Sequence, residues 1–265
     1  MTCIFALMII AYKNSHIHYT IAGEGPAIVL LHGFLETVDM WQDFSPQLSK
    51  QHQVICIDLL GHGQTESMGY IHTMDTMAEV VFAVLKHLNI KSAKYIGHSM
   101  GGYVALALAE QQPQLCKGLC LMNSTFEADD DQRKLMRARA AEMATTHYDN
   151  LVRTSFANLF APESRETYKQ EFEAALRLAL QTPVRGYIAA QKGMALRPNR
   201  LEVFKSIPGK TLIITGQKDT LINSKRIQEQ IKNTPIVHKE LSEGHMSHIE
   251  NKSELSYLLK RFIEK

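Results

Sequence analysis

Serine, histidine and aspartate together can transfer an acyl group, and this sequence offers one of each in suggestive surroundings. Gly97-His98-Ser99-Met100-Gly101 fits the pattern G-x-S-x-G. It lies between a strand-like run, Lys94 to Gly97, and an alanine- and leucine-rich helical run, Met100 to Gln111. A sharp strand-to-helix turn of this kind projects the serine hydroxyl from a sheet edge, and the glycines admit the close approach of both elements. A serine hydroxyl is a weak nucleophile until a base removes its proton, so a histidine and an orienting carboxylate are expected further along the chain.

Asp219 closes Gly216-Gln217-Lys218-Asp219, just past the apolar run Thr211 to Thr215. His245 sits in Glu243-Gly244-His245-Met246, just past the run Ile236 to Leu241. Both therefore fall at the carboxyl ends of expected strands, where open α/β sheets place their sites. His248 is the nearest rival base, but it would begin the closing helix rather than sit in the glycine-supported loop. The alternative place for the acid, after Leu119 to Met122, holds Asn123, which carries no charge. The tetrahedral oxyanion needs donors as well. The expected ones are the backbone N–H of Met100 and that of Phe34, in His32-Gly33-Phe34 after the run Ala27 to Leu31.

The elements that must position these groups are legible from hydrophobic pattern and turn residues. His16 to Ala22, Ala27 to Leu31, Val54 to Ile57, Lys94 to Gly97 and Leu119 to Met122 read as strands. Asp75 to Leu88 repeats apolar residues at helical spacing. Such alternation implies an α/β fold with a mostly parallel central β-sheet flanked by helices. From Phe126 to about Phe204 no strand-like run appears and the chain reads as amphipathic helices, with Asp129 to Asp131 as helix-start residues. The alternation resumes after Pro208-Gly209, with a helix over Ser224 to Lys232 and a last one over Glu254 to Ile263. The expected organisation is a core of residues 1–125 and 205–265 carrying a helical insertion at 126–204.

The bulk composition excludes several classes. The chain of 265 residues carries a formal charge of +2, too little to imply a nucleic-acid partner or an anionic membrane surface. The basic residues are scattered except over Arg133 to Arg139, which reads as a solvated helix face. Four cysteines make no disulfide framework, and Cys116 and Cys120, flanking an expected strand, would stand too far apart to bridge. Reduced thiols and a cytoplasmic setting follow. The apolar segment Met1 to Tyr12 is too short to span a bilayer and lacks the basic start of a signal peptide, so a first strand is expected there. Met8 is an alternative start to Met1, which N-terminal sequencing would decide. No Cys/His spacing suggests a metal, and the chemistry requires no cofactor.

These residues together resemble the α/β-hydrolase superfamily. The landmark blocks are His32-Gly33-Phe34 followed by Trp41, then Asp58-Leu59-Leu60-Gly61-His62-Gly63, then Gly97 to Gly102. By that likeness Ser99, Asp219 and His245 would be catalytic, Phe34 and Met100 would form the oxyanion hole, and 126–204 would be a helical cap. Asp58 would organise a loop and His32 would support the oxyanion turn. Departures are mild: Leu60 stands where proline is common, Thr65 where serine is, and Lys252 where proline often follows Glu250-Asn251. The expected activity is hydrolysis of carboxylic esters with small or medium acyl groups, with Leu151, Phe156, Leu159, Phe160 and Leu176 of the cap offering an apolar lining. Cleavage of a C–C bond, acyl transfer to peroxide, and a ligand receptor with a vestigial site are the alternatives on the same scaffold.

Overall fold

A computed structural model describes residues 6–264. Residues 1–5, including Met1 and Thr2, lie outside the described part. Among the described residues eight strands form one sheet: β1 (Ala6–Tyr12), β2 (Ser15–Ala22), β3 (Ala27–Leu31), β4 (Gln53–Ile57), β5 (Ala93–His98), β6 (Cys116–Met122), β7 (Lys210–Gly216) and β8 (Val237–Leu241). Their spatial order is β1-β2-β4-β3-β5-β6-β7-β8. β1 and β2 pair antiparallel, with Met8 opposite Tyr19, and β2 runs antiparallel to β4. Every later pairing is parallel. This is the α/β fold with a mostly parallel central sheet that the alternation implies.

The parallel strands are almost wholly apolar because helices cover both faces of the sheet. Val29 and Leu31 of β3 face one layer with Ile55, Ile57, Leu119, Leu121 and Ile213. That layer is covered by α2 (Met74–His87) and α3 (Met100–Gln111). Ile28 and Leu30 face the other, with Ile96, Cys120, Met122 and Ile214, under the short α1 (Ser45–Leu48) and the closing α12 (Lys252–Ile263). The one-residue alternation along β3 thus feeds two separate cores. α3 is buried on nearly all sides, which is why its sequence shows no polar face.

Between β6 and β7 the chain forms α4 (Asp131–Met143), α5 (Tyr148–Ala157), α6 (Ser164–Thr167), α7 (Lys169–Ala179), α8 (Val184–Ala195) and α9 (Leu201–Ser206). A third apolar cluster fills this segment, with Val152, Phe156, Phe160, Ala179 and Tyr187 packed on Leu35, Met246 and Ile249 from the sheet side. α9 is anchored elsewhere: Phe204 joins the layer below α3, and Arg200 pairs with Asp75 of α2 at 2.6 Å and Glu110 of α3 at 2.8 Å. After β7 come α10 (Ser224–Gln230) and the four-residue α11 (Ser247–Glu250).

Three local expectations differ from what is observed. Cys116 and Cys120 both lie within β6 instead of flanking a strand; both are buried thiols, as is Cys56. His248 does not begin the closing helix but sits in α11, separated from α12 by Asn251. Asp129 is no helix-start residue: Asp130 caps α4 by accepting the Arg133 N–H at 2.7 Å, while Asp129 is buried against two arginines. No helix among the described residues is long and apolar enough to cross a membrane.

Candidate active site

β5 ends at His98 and α3 begins at Met100, so one residue makes the whole turn. Ser99 adopts φ 48° and ψ −114°, a conformation that L residues avoid and that persists only where the surroundings over-determine it. Its N–H donates to the Met122 carbonyl at 2.9 Å, and its own carbonyl accepts from Ser124 Oγ at 2.7 Å. Crowding explains the glycine two residues on: a Cβ at Gly101 would stand 2.3 Å from the Leu31 carbonyl oxygen. The turn therefore depends on β3 passing directly beneath it.

Ser99, His245 and Asp219, named from widely separated segments, are brought together. His245 Nε2 lies 2.9 Å from Ser99 Oγ, and His245 Nδ1 lies 2.7 Å from Asp219 Oδ2. A carboxylate only accepts, so Nδ1 carries the proton and the Nε2 lone pair faces the serine hydroxyl. Asp219 is fully engaged: Oδ1 accepts the N–H groups of Leu221 and Ile222, and Oδ2 also accepts from Asn123 Nδ2 at 3.2 Å. Burial pushes its carboxyl upward, but the His245 ring and these hydrogen bonds outweigh that and hold it below the usual carboxylate value. Asn123, at the end of β6, is thus not an empty acid position. It steadies Asp219 and donates to the Gly244 carbonyl at 3.1 Å.

No sequence pattern marked the network beneath the serine. Glu36 Oε2 accepts the Gly33 N–H at 2.6 Å and lies 2.6 Å from His98 Nδ1. His98 Nε2 lies 3.0 Å from the His245 carbonyl. Both partners of this ring only accept, so both nitrogens carry protons and His98 is an imidazolium paired with the Glu36 carboxylate. Burial disfavours both charges. Their mutual attraction and hydrogen bonding win, raising His98 above the ordinary histidine value and holding Glu36 down at about 2. One buried ion pair thereby ties the turn before Phe34, the residue before Ser99 and the backbone of His245. Gly33 fits closely against this pair: a Cβ there would stand 2.7 Å from His98 Nδ1 and 2.4 Å from Glu36 Oε2.

His248, the rival base, approaches Glu36 Oε1 at 3.5 Å rather than the serine, and burial pushes it down to about 4. Glu36, His98 and His248 bring potential ligand atoms within 4.8 Å of one another. The 2.6 Å contact between the first two is nevertheless a hydrogen bond, because ligands about 2 Å from a shared metal stand farther apart.

His32 accepts the Leu59 N–H through Nε2 at 2.9 Å, so its Nδ1 donates to the Gly33 carbonyl at 2.7 Å. Asp58 accepts the N–H groups of Val38 and Gln64 and pairs with His18 at 2.7 Å, which holds the loop after β4. Of the expected oxyanion donors, Phe34 lines the same cavity as Ser99 and follows Gly33, where a Cβ would stand 3.2 Å from Ser99 Cβ. Met100 is the first residue of α3, whose leading N–H groups have no acceptor within the helix.

Ser99 and His245 open into a cavity of about 510 Å³ roofed by α4, α5 and α8. Leu151, Phe156 and Leu159 line it, joined by Met136, Tyr187 and Met194. Phe160 and Leu176, expected in the lining, instead pack the helical segment on itself. The stretch Arg133 to Arg139 also differs from a solvated face: Arg133 and Arg137 line the cavity, and Arg137 Nε pairs with buried Asp129 at 2.5 Å.

Residues 26–252 match the family described as alpha/beta hydrolase fold, and the chain belongs to that family. Over its full length it is 26% identical to 99% of 3-oxoadipate enol-lactonase 1 of Acinetobacter baylyi. Over 93% of its length it is 27% identical to the dihydrolipoyllysine-residue acetyltransferase component of the acetoin cleaving system of Pseudomonas putida. The chain spans 66% of that relative, and 40% and 31% of two other curated relatives it matches. Among solved structures, the enol-lactonase of Burkholderia xenovorans superposes with a TM-score of 0.89 at 22% identity, over 97% of this chain and all of the other. That likeness is one of fold.

Proposed function

We propose that the protein is a serine hydrolase of carboxylic esters, lactones included, acting on small molecules through an acyl-enzyme. The observation that carries this reading is the run of contacts from Ser99 Oγ to His245 Nε2 at 2.9 Å and from His245 Nδ1 to Asp219 Oδ2 at 2.7 Å, the spacing that general-base action needs. His245 takes the proton as Ser99 Oγ attacks the carbonyl carbon. The N–H groups of Phe34 and Met100 hold the oxyanion, and His245 returns the proton to the leaving oxygen. Water then attacks the acyl-enzyme by the same route in reverse, which releases the acid and restores the serine. Full-length similarity to a protein named as an enol-lactonase supports including cyclic esters.

Within this reading residues 126–204 act as a cap over the cavity, on a core of 1–125 and 205–265. The cap is tied to the base: the His245 N–H donates to the Leu159 carbonyl at 2.8 Å, and Glu250 accepts the N–H groups of Ala161 and Met246. Three buried thiols, Cys56, Cys116 and Cys120, support a cytoplasmic setting. The test is rapid mixing with a 4-nitrophenyl ester panel of increasing acyl length. The expected result is a nitrophenol burst equal to the enzyme concentration followed by steady turnover, with best use of short to medium chains. Well-folded protein that turns over no ester overturns the reading.

A further inference from the structure

We propose that the acyl or lactone substrate carries a free carboxylate, and that Arg133 and Arg137 of α4 bind it inside the cavity that holds Ser99. This deepens the ester-hydrolase reading and rests on it. An apolar acyl pocket has no use for two guanidinium groups, yet both line this cavity. They are four residues apart on one helix, so they share a face and repel each other across it.

The carboxylates nearby do not answer that charge. Asp129 is the buried one, and it is shared between Arg137 at 2.5 Å and Arg197 at 2.7 Å. Asp130 is exposed and is committed to the cap of α4. Arg133 has no carboxylate within ion-pair distance among the described residues; one of its terminal nitrogens donates to the Leu221 carbonyl at 2.8 Å. Arg137 gives Nε to Asp129 and Nη1 to Gln191 at 2.9 Å, which aims the rest of its fork. A half-buried guanidinium with open donors is the group that binds a planar carboxylate through paired hydrogen bonds.

The cationic wall is built together with the cavity. Arg197 stacks on the Tyr103 ring, 4.0 Å from its centroid, and shares Asp129 with Arg137. Tyr103, on α3, lines the same cavity as Ser99, Arg133 and Arg137. A substrate seated on Ser99 therefore shares one cavity with both guanidinium groups. The matching class is the monoester of a dicarboxylic acid or a lactone bearing a carboxylate arm.

The experiment compares kcat/KM for 4-nitrophenyl hydrogen glutarate with that for the neutral 4-nitrophenyl hexanoate. The expected ratio of anionic to neutral ester is at least ten, lowered by 0.5 M NaCl through screening. Arg133→Gln lowers the ratio about threefold, the Arg133→Gln/Arg137→Gln double variant brings it near one, and Arg133→Lys, which keeps charge without the fork, retains part of it. A wild-type ratio near or below one, or a ratio that the double variant leaves unchanged, overturns the inference while the ester-hydrolase reading stands. Failure to turn over either ester overturns that reading and this one with it.

Discussion

Ser99→Ala is expected to lower kcat for any ester substrate by on the order of 10⁶ while the fold is kept. The magnitude follows from the site acting as a unit. Without Oγ there is no atom to attack, and His245 has no proton to take. His245→Ala is therefore expected to cost about as much as Ser99→Ala, and combining the two to cost little more. Asp219→Asn differs in kind. The amide can present N–H to Nδ1, so the ring is held as the wrong tautomer with its proton toward Ser99, and a loss on the order of 10⁴ follows. Steady-state kinetics on the four variants, beside circular dichroism to confirm folding, checks the pattern. Losses that simply multiply in the double variant would mean that Ser99 and His245 act separately.

Acid is expected to unfold the protein well before most of its carboxylates titrate. His62, His72 and His248 are buried as neutral rings, and burial pushes them down to about 3, 4 and 4. A histidine with a lowered folded value contributes stability that is complete above its unfolded value near 6.5 and is lost as the pH falls toward the folded value. Each of the three would cost about 2 kcal/mol on going from pH 7 to pH 5, because a tenfold change in a proton equilibrium is worth about 1.4 kcal/mol. Together that is about 6 kcal/mol, a large share of the roughly 5–15 kcal/mol that holds a domain folded. His98 has the opposite sign. Its raised value favours the folded state fully below about 6.5, and that contribution is lost as the pH rises through the folded value, so it bounds stability on the alkaline side. Urea denaturation at pH 7, 6 and 5 measures the acid limb directly. Stability that stays level from pH 7 to 5 would contradict the buried neutral state of the three rings.

What the sequence made legible, and what it hid, follows from the range of the interactions involved. β3 and α3 begin and end where the apolar runs begin and end, because a buried parallel strand and a buried helix are each marked by local composition and bounded by glycine or polar residues. The neighbourhood of Ser99, Asp219 and His245 was legible from strand order, since the carboxyl ends of adjacent parallel strands meet at one edge. The Glu36–His98 pair was not. Its partners are 62 residues apart, and no local pattern distinguishes a carboxylate that accepts from a neighbouring turn from one that points to water. The helical segment hid its assignments for a related reason. Phe156 lies in α5 and Phe160 three residues past its end, and both pack on Phe172, yet only the first of the two also lines the cavity. Likewise Arg133 to Arg139 has the composition of a solvated face, and only the position of Asp129 and the seating of α4 over the cavity turn two of its arginines inward.

Everything proposed for the chemistry depends on Ser99 being the nucleophile that carries the acyl group. Incubation of the folded protein with a fluorophosphonate, followed by intact mass and peptide mapping, tests this without knowledge of the natural substrate. One adduct per chain is expected, located on Ser99 and absent in Ser99→Ala. An adduct that maps to another residue, or labelling that persists at the same rate in Ser99→Ala, would rule Ser99 out as the nucleophile.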